Sequence, residues 1–148
     1  MKVLPALFAV ALACLGADLT DVKTVYLLPM SSALDQHLAV ALTTGGILQV
    51  VTDPAKADAI FTDRIGANFE QTLKDMFDKK DDAKSDDYTR PTMQPLSRGK
   101  GDIFLVDRKS HVVLWSMYAT PKSAQGDDMN RLAAKIAAQL QKDRKNGK

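Results

Sequence analysis

At 148 residues the chain has the length of one domain, and with 45% hydrophobic and 26% charged residues it can bury a core, which excludes a compositionally disordered chain. Twenty lysines and arginines against eighteen aspartates and glutamates leave a net charge of +2. The signs are interspersed, so no basic stripe argues for nucleic acid, and the single cysteine, Cys14, excludes an internal disulfide.

Lys2 precedes an apolar run from Val3 to Leu15, closed by small residues before Asp18. That order is the order of a secretory signal peptide, here residues 1–17. The run is shorter than the about 20 residues a spanning helix needs. Within "ALAC", Ala13 and Cys14 match the end of a bacterial lipoprotein signal, which would end at residue 13 and leave Cys14 lipidated. Ala11 and Leu12 are permuted relative to that motif, and ordinary cleavage after Ala13 or Ala17 is the alternative. Both routes place the mature domain, residues 18–148, in the periplasm or on the periplasmic face of the outer membrane.

The stretch "VKTVYLLPM" (22–30) is apolar and β-branched and reads as a buried first strand closed by Pro29. A helix follows, with Ser31 or Ser32 as its cap, Asp35 in its first turn, Leu34, Leu38, Ala41 and Leu42 on one face, and Gly45-Gly46 as its stop. "ILQVV" (47–51) is a second strand. Asp53-Pro54 reads as an N-cap with proline at the first helical position, giving a single turn before the third strand, "DAIFTD". Phe69, Leu73, Met76 and Phe77 predict a short amphipathic helix.

Residues 78–100 are charged, hold two prolines and have almost no aliphatic side chains, so an exposed, flexible loop is expected there. Two strands, 102–107 and 112–118, carry apolar residues at successive positions, which predicts cover on both faces. The last helix has Asp127 or Asp128 as its cap, a stripe of Met129, Leu132, Ala133, Ile136, Ala137 and Leu140, and Lys142, Arg144 and Lys145 at its C-terminal end. The order β-α-β-β-α-β-β-α points to a single α/β sandwich with a mixed sheet.

Between the last two strands, Asp107 and Ser110 flank Arg108-Lys109 as turn residues do. The positive φ that a short hairpin needs falls to His111, a residue type that tolerates it. Asp107 and His111 therefore have a structural explanation without catalysis. Trp115 reads as a core indole or, if partly exposed, as an anchor for a partner.

The succession of "VKTVYLLPM", a helix, "ILQVVTDPAKADAIFTDRIG" and "GDIFLVDRKSHVVLWS" resembles a group of bacterial envelope proteins. The group includes the periplasmic domain of the curli secretion-channel lipoprotein, the lipoprotein activator of penicillin-binding proteins, and the amino-terminal domain of the TolB protein. Val50, Val51, Asp53, Ala57, Asp58, Asp107, Val113 and Trp115 stand at the matching places. The sequence departs at His111, where glycine is usual, and at Thr62-Asp63, where a glycine often follows the third strand. The resemblance implies a fold that binds other envelope proteins without catalytic machinery.

No pattern supplies an enzyme or a metal centre. His37 and His111 are the only histidines and stand in no metal-binding spacing, so neither metal nor cofactor is expected. Ser31-Ser32 follow a strand and open a helix, but the glycines of a nucleophile elbow are missing. "SRGKG" (97–101) precedes a strand, unlike a phosphate loop. The expected function is that of a non-catalytic, exported assembly module, lipid-anchored where Cys14 is modified, that meets another envelope protein through Tyr88, Arg90 and Trp115 at a sheet edge. The alternative is a soluble binder of a small ligand in a cleft by Arg64, Arg90 and Arg98.

Overall fold

A computed structural model describes residues 17–78 and 101–147. In chain order these hold β1 (Thr24–Leu27), α1 (Leu34–Thr44), β2 (Gln49–Val50), β3 (Ala59–Thr62), α2 (Ala67–Asp78), β4 (Asp102–Asp107), β5 (Val113–Tyr118) and α3 (Gly126–Lys145). The strands form one mixed sheet in the order β2-β1-β3-β4-β5. β1 runs parallel to β2 and β3, while β4 is antiparallel to β3 and to β5. The protein is a single α/β domain, the class the sequence pattern indicates.

The two faces of the sheet are separated by strand alternation. In β3, Ala59 and Phe61 point to one face, with Val25, Ile103, Leu105 and Trp115. Leu34, Leu38 and Leu42 of α1 and the whole apolar stripe of α3, Met129 to Leu140, close over that face. Ile60 of β3 points to the other face, where Leu28, Val106 and the α2 residues Phe69 and Leu73 form a smaller cluster. The helices thus make two outer layers, two helices on one side and one on the other.

β2 is short for a topological reason. Val50 and Ala59 both pair with Val25, so the chain leaves β2 and enters β3 at the same level on either side of β1. The connection passes beneath the start of β1 through a single 3₁₀ turn, Pro54–Lys56, capped by Asp53, whose Oδ1 accepts the Ala55 N–H at 3.0 Å. At its far end Asp58 accepts the N–H groups of Lys23 and Thr24, both at 3.0 Å. Burial alone would push this carboxyl upward, but the bonds from Lys23 and Thr24, with the charge of Arg108, hold it below the usual carboxylate range.

Four expectations are corrected. Neither Ser31 nor Ser32 caps α1: a 3₁₀ turn, Ser31–Ala33, precedes it, and Ala33 at the cap position is left-handed. Neither Asp127 nor Asp128 caps α3; both lie in its first turn, favourably placed for the helix dipole, and Gln125 holds the cap position. β5 is not covered on both faces, because α2 lies over β1, β3 and β4 and leaves Val113 and Tyr118 in solvent. α2 runs through Asp78, so the expected loop loses its first residue, and the remainder, 79–100, lies outside the described residues. Gly101, from the "SRGKG" segment, opens β4 at φ +95°, where an added Cβ would sit 2.6 Å from Thr120 Cγ2. That close approach explains the glycine without an anion.

Candidate functional site

Three places bring polar or exposed side chains together. The first lies at the C-terminal ends of β1 and β3, where α1 departs over one face of the sheet and α2 over the other. Such a switch point is where open α/β sheets hold ligands. Ser32 (φ 57°) and Ala33 (φ 56°) are both left-handed here. The N–H and the hydroxyl of Ser31 both donate to Asp63 Oδ2 at 3.1 Å. Asp35 accepts the Met30 N–H at 3.0 Å and the Gln36 side chain at 2.7 Å. Arg64 Nε stands 3.6 Å from Asp63 Oδ1. The carboxylates here hold the strained turn between β1 and α1. The group at the Ser31 hydroxyl is the Asp63 carboxylate, which also holds the Ser31 N–H, while both histidines are engaged elsewhere, His37 with Asn130 at 2.6 Å and His111 with Glu70 at 2.7 Å.

The second place is the β4–β5 hairpin. Asp107 Oδ2 accepts from the N–H groups of Lys109 (3.2 Å) and Ser110 (2.7 Å) and from the Ser110 hydroxyl (2.7 Å). Burial pushes this carboxyl up, but the Ser110 and Lys109 bonds prevail and keep it below the usual range. The loop closes through His111 N–H to Asp107 O at 2.9 Å and Asp107 N–H to Val112 O at 2.8 Å. His111 takes φ 58°, the positive value that the hairpin requires. Its ring reaches away from Asp107, to Glu70 on α2 and edge-on to Phe69 with centroids 6.4 Å apart. Asp107 and His111 are a turn, not a dyad. A shallow depression between α2 and the hairpin is lined by Glu70, Leu73, Lys74, Phe77 and His111.

The third place is β5, the outer strand. Trp115 points inward and is only 7% exposed. Its ring meets Phe61 edge-on with centroids 6.4 Å apart, and its Nε1–H donates to Asp143 Oδ2 at 2.9 Å. The indole is a core group, which corrects its expected role as a partner anchor. What the strand presents to solvent is Val112, Val113 and Tyr118, exposed by 56%, 41% and 67%. The apolar character of this segment pointed to it, but its exposure depends on where α2 lies.

Of the other expected site residues, Arg64 stands at the switch point beside Asp63, and Cys14, Tyr88, Arg90 and Arg98 lie outside the described residues. Among the described residues no three of histidine, cysteine, aspartate and glutamate gather as metal ligands, and no helix is long and apolar enough to cross a membrane. Compared with family models, with curated proteins and with solved structures, the chain finds no match in any of the three.

Proposed function

We propose that the chain is an exported, non-catalytic protein-binding module of the bacterial envelope, carried there by the signal in residues 1–17 and anchored by lipid where Cys14 is modified. Its partner is another envelope protein, and its contact surface is the β5 side of the sheet. The observation that carries this reading is the exposure of Val113 and Tyr118 on the outer strand and of Val112 just before it. Side chains of this kind, clustered on one strand, mark a surface that other proteins cover. Among the described residues, Asp63, Asp107 and His111 are engaged in bonds that hold turns and join α2 to the hairpin.

Photo-crosslinking in the native envelope tests the reading. A photoreactive residue at Val113 or Tyr118 is expected to capture one recurrent protein. The same probe at Val40, 64% exposed on α1, is expected to capture none. Absence of any protein adduct from the β5 positions, in a folded and exported chain, overturns the reading.

A further inference from the structure

Ala119 N–H donates to Gly101 O at 2.8 Å. In an antiparallel ladder, bonded and non-bonded pairs alternate. With Ile103 facing Met117 and Leu105 facing Trp115, those pairs are the bonded ones. The N–H and C=O groups of Ser116 and Tyr118, which face Phe104 and Asp102, therefore point away from the sheet. Open edges are normally blunted by lysine, proline or a very short strand. The far edge is blunted in this way: β2 has two residues and is followed by Asp53-Pro54. β5, "VLWSMY", has no charge and no proline. Its one irregularity is a bulge opposite Leu105/Val106, which leaves the segment from Trp115 to Tyr118 in regular pairing.

We infer that β5 accepts an extended segment of the partner as a sixth strand, bonded to the backbone of Ser116 and Tyr118 and carrying acidic residues at its flanks. This rests on the protein-binding reading above and adds its mode. The charge pattern selects the occupant. From Arg108 to Lys122 the chain holds no acidic residue; the Arg108 side chain turns inward to Ala57 O, and the exposed Lys109 and Lys122 flank the open edge. A second copy fits poorly, because antiparallel β5–β5 pairing through these backbone groups sets Lys122 of one copy toward Lys109 of the other.

Proline substitution separates the modes, because the N–H of Ser116 and of Tyr118 is not used inside the sheet and proline is tolerated at such edge positions. With the probe at Val113, Ser116→Pro is expected to cut adduct yield about five- to tenfold by removing a main-chain donor, while Ser116→Ala leaves it unchanged. Tyr118→Pro, compared with Tyr118→Ala, repeats the test at the next open N–H and decides it if Ser116→Pro does not fold, as judged by Trp115 fluorescence. Lys109→Glu with Lys122→Glu is expected to lower the yield as well. Undiminished adducts with the proline variant overturn strand addition while leaving the protein-binding reading in place, and adducts made only with a second copy overturn both. A wild-type chain that gives no adduct overturns the reading itself.

Discussion

Trp115 of the outer strand donates its indole N–H to Asp143 near the end of α3 at 2.9 Å, which ties the first and last layers of the large core together across 28 residues of chain. Gln139, one turn earlier, donates to the other oxygen of the same carboxylate at 2.9 Å. Asp143→Ala leaves the indole N–H without this acceptor in a part-buried setting, at a cost of about 1 kcal/mol. Trp115 is the only tryptophan, so its emission reports both the loss of the bond and unfolding. Urea titration is expected to show a lower midpoint with an unchanged slope. An unchanged midpoint would mean that water replaces the carboxylate at no cost.

Ala33 occupies φ 56° without being glycine, and Ser32 does the same beside it. A left-handed residue with a Cβ is disfavoured by about 1 kcal/mol, and glycine relieves this at the expense of a more flexible unfolded chain. Ala33→Gly is therefore expected to stabilise by about 0.5 kcal/mol, a rise of roughly 2 °C in the thermal midpoint. The turn carries no side-chain cap that the substitution could remove. A fall in midpoint would show that Ala33 is not left-handed in solution.

These two sites show what local sequence could and could not reveal. The α3 stripe, the Asp53-Pro54 turn and the positive φ of His111 were legible because each is set by neighbours within a few residues. Ser31-Ser32 read as a helix cap because serine usually caps. Here Asp63, 32 residues away, takes the Ser31 hydroxyl, and the cap position passes to a left-handed alanine. β5 read as covered because its apolar residues are consecutive. Burial of Val113 and Tyr118 depends on which helix lies above them, and α2 is placed by Phe69 and Leu73 over the middle of the sheet. Nothing in the local pattern fixes that position. The indole of Trp115 was ambiguous for the same reason, since its partner belongs to a helix far along the chain.

The hairpin reading predicts a specific tolerance at His111. His111→Gly loses the Glu70 contact, worth a few tenths of a kcal/mol at this exposed site, and gains relief at φ 58°. Stability is expected to stay within about 0.5 kcal/mol of the parent. His111→Val places a β-branched side chain in the same conformation and is expected to cost about 1–2 kcal/mol. Asp107→Ala removes the acceptor of three hairpin bonds and is expected to cost about 2–3 kcal/mol. Equal losses for the glycine and valine variants, read by urea titration, would contradict a turn whose demand is conformational.

Asp58 and Asp107 predict how the domain meets acid. Desolvation opposes ionisation of both, yet the main-chain N–H bonds from Lys23 and Thr24 to Asp58, and from Ser110 and Lys109 to Asp107, leave both folded-state pKa values below the ordinary value. A depressed carboxyl contributes stability that is fully present above its unfolded pKa of about 3.9 and is lost as pH falls through the lower folded value. The domain is therefore expected to hold its stability from neutral pH down to about pH 5 on account of these groups, and to lose it progressively below about pH 4. Asp58→Asn removes one of the two titrations. The variant is expected to be less stable than the parent at pH 7, with the gap narrowing as pH falls below about 4 and the parent loses the stability of its ionised carboxyl. Thermal midpoints measured across that range check the sign: a gap that widens toward acid would mean that Asp58 binds its proton more tightly in the folded state than in the unfolded one.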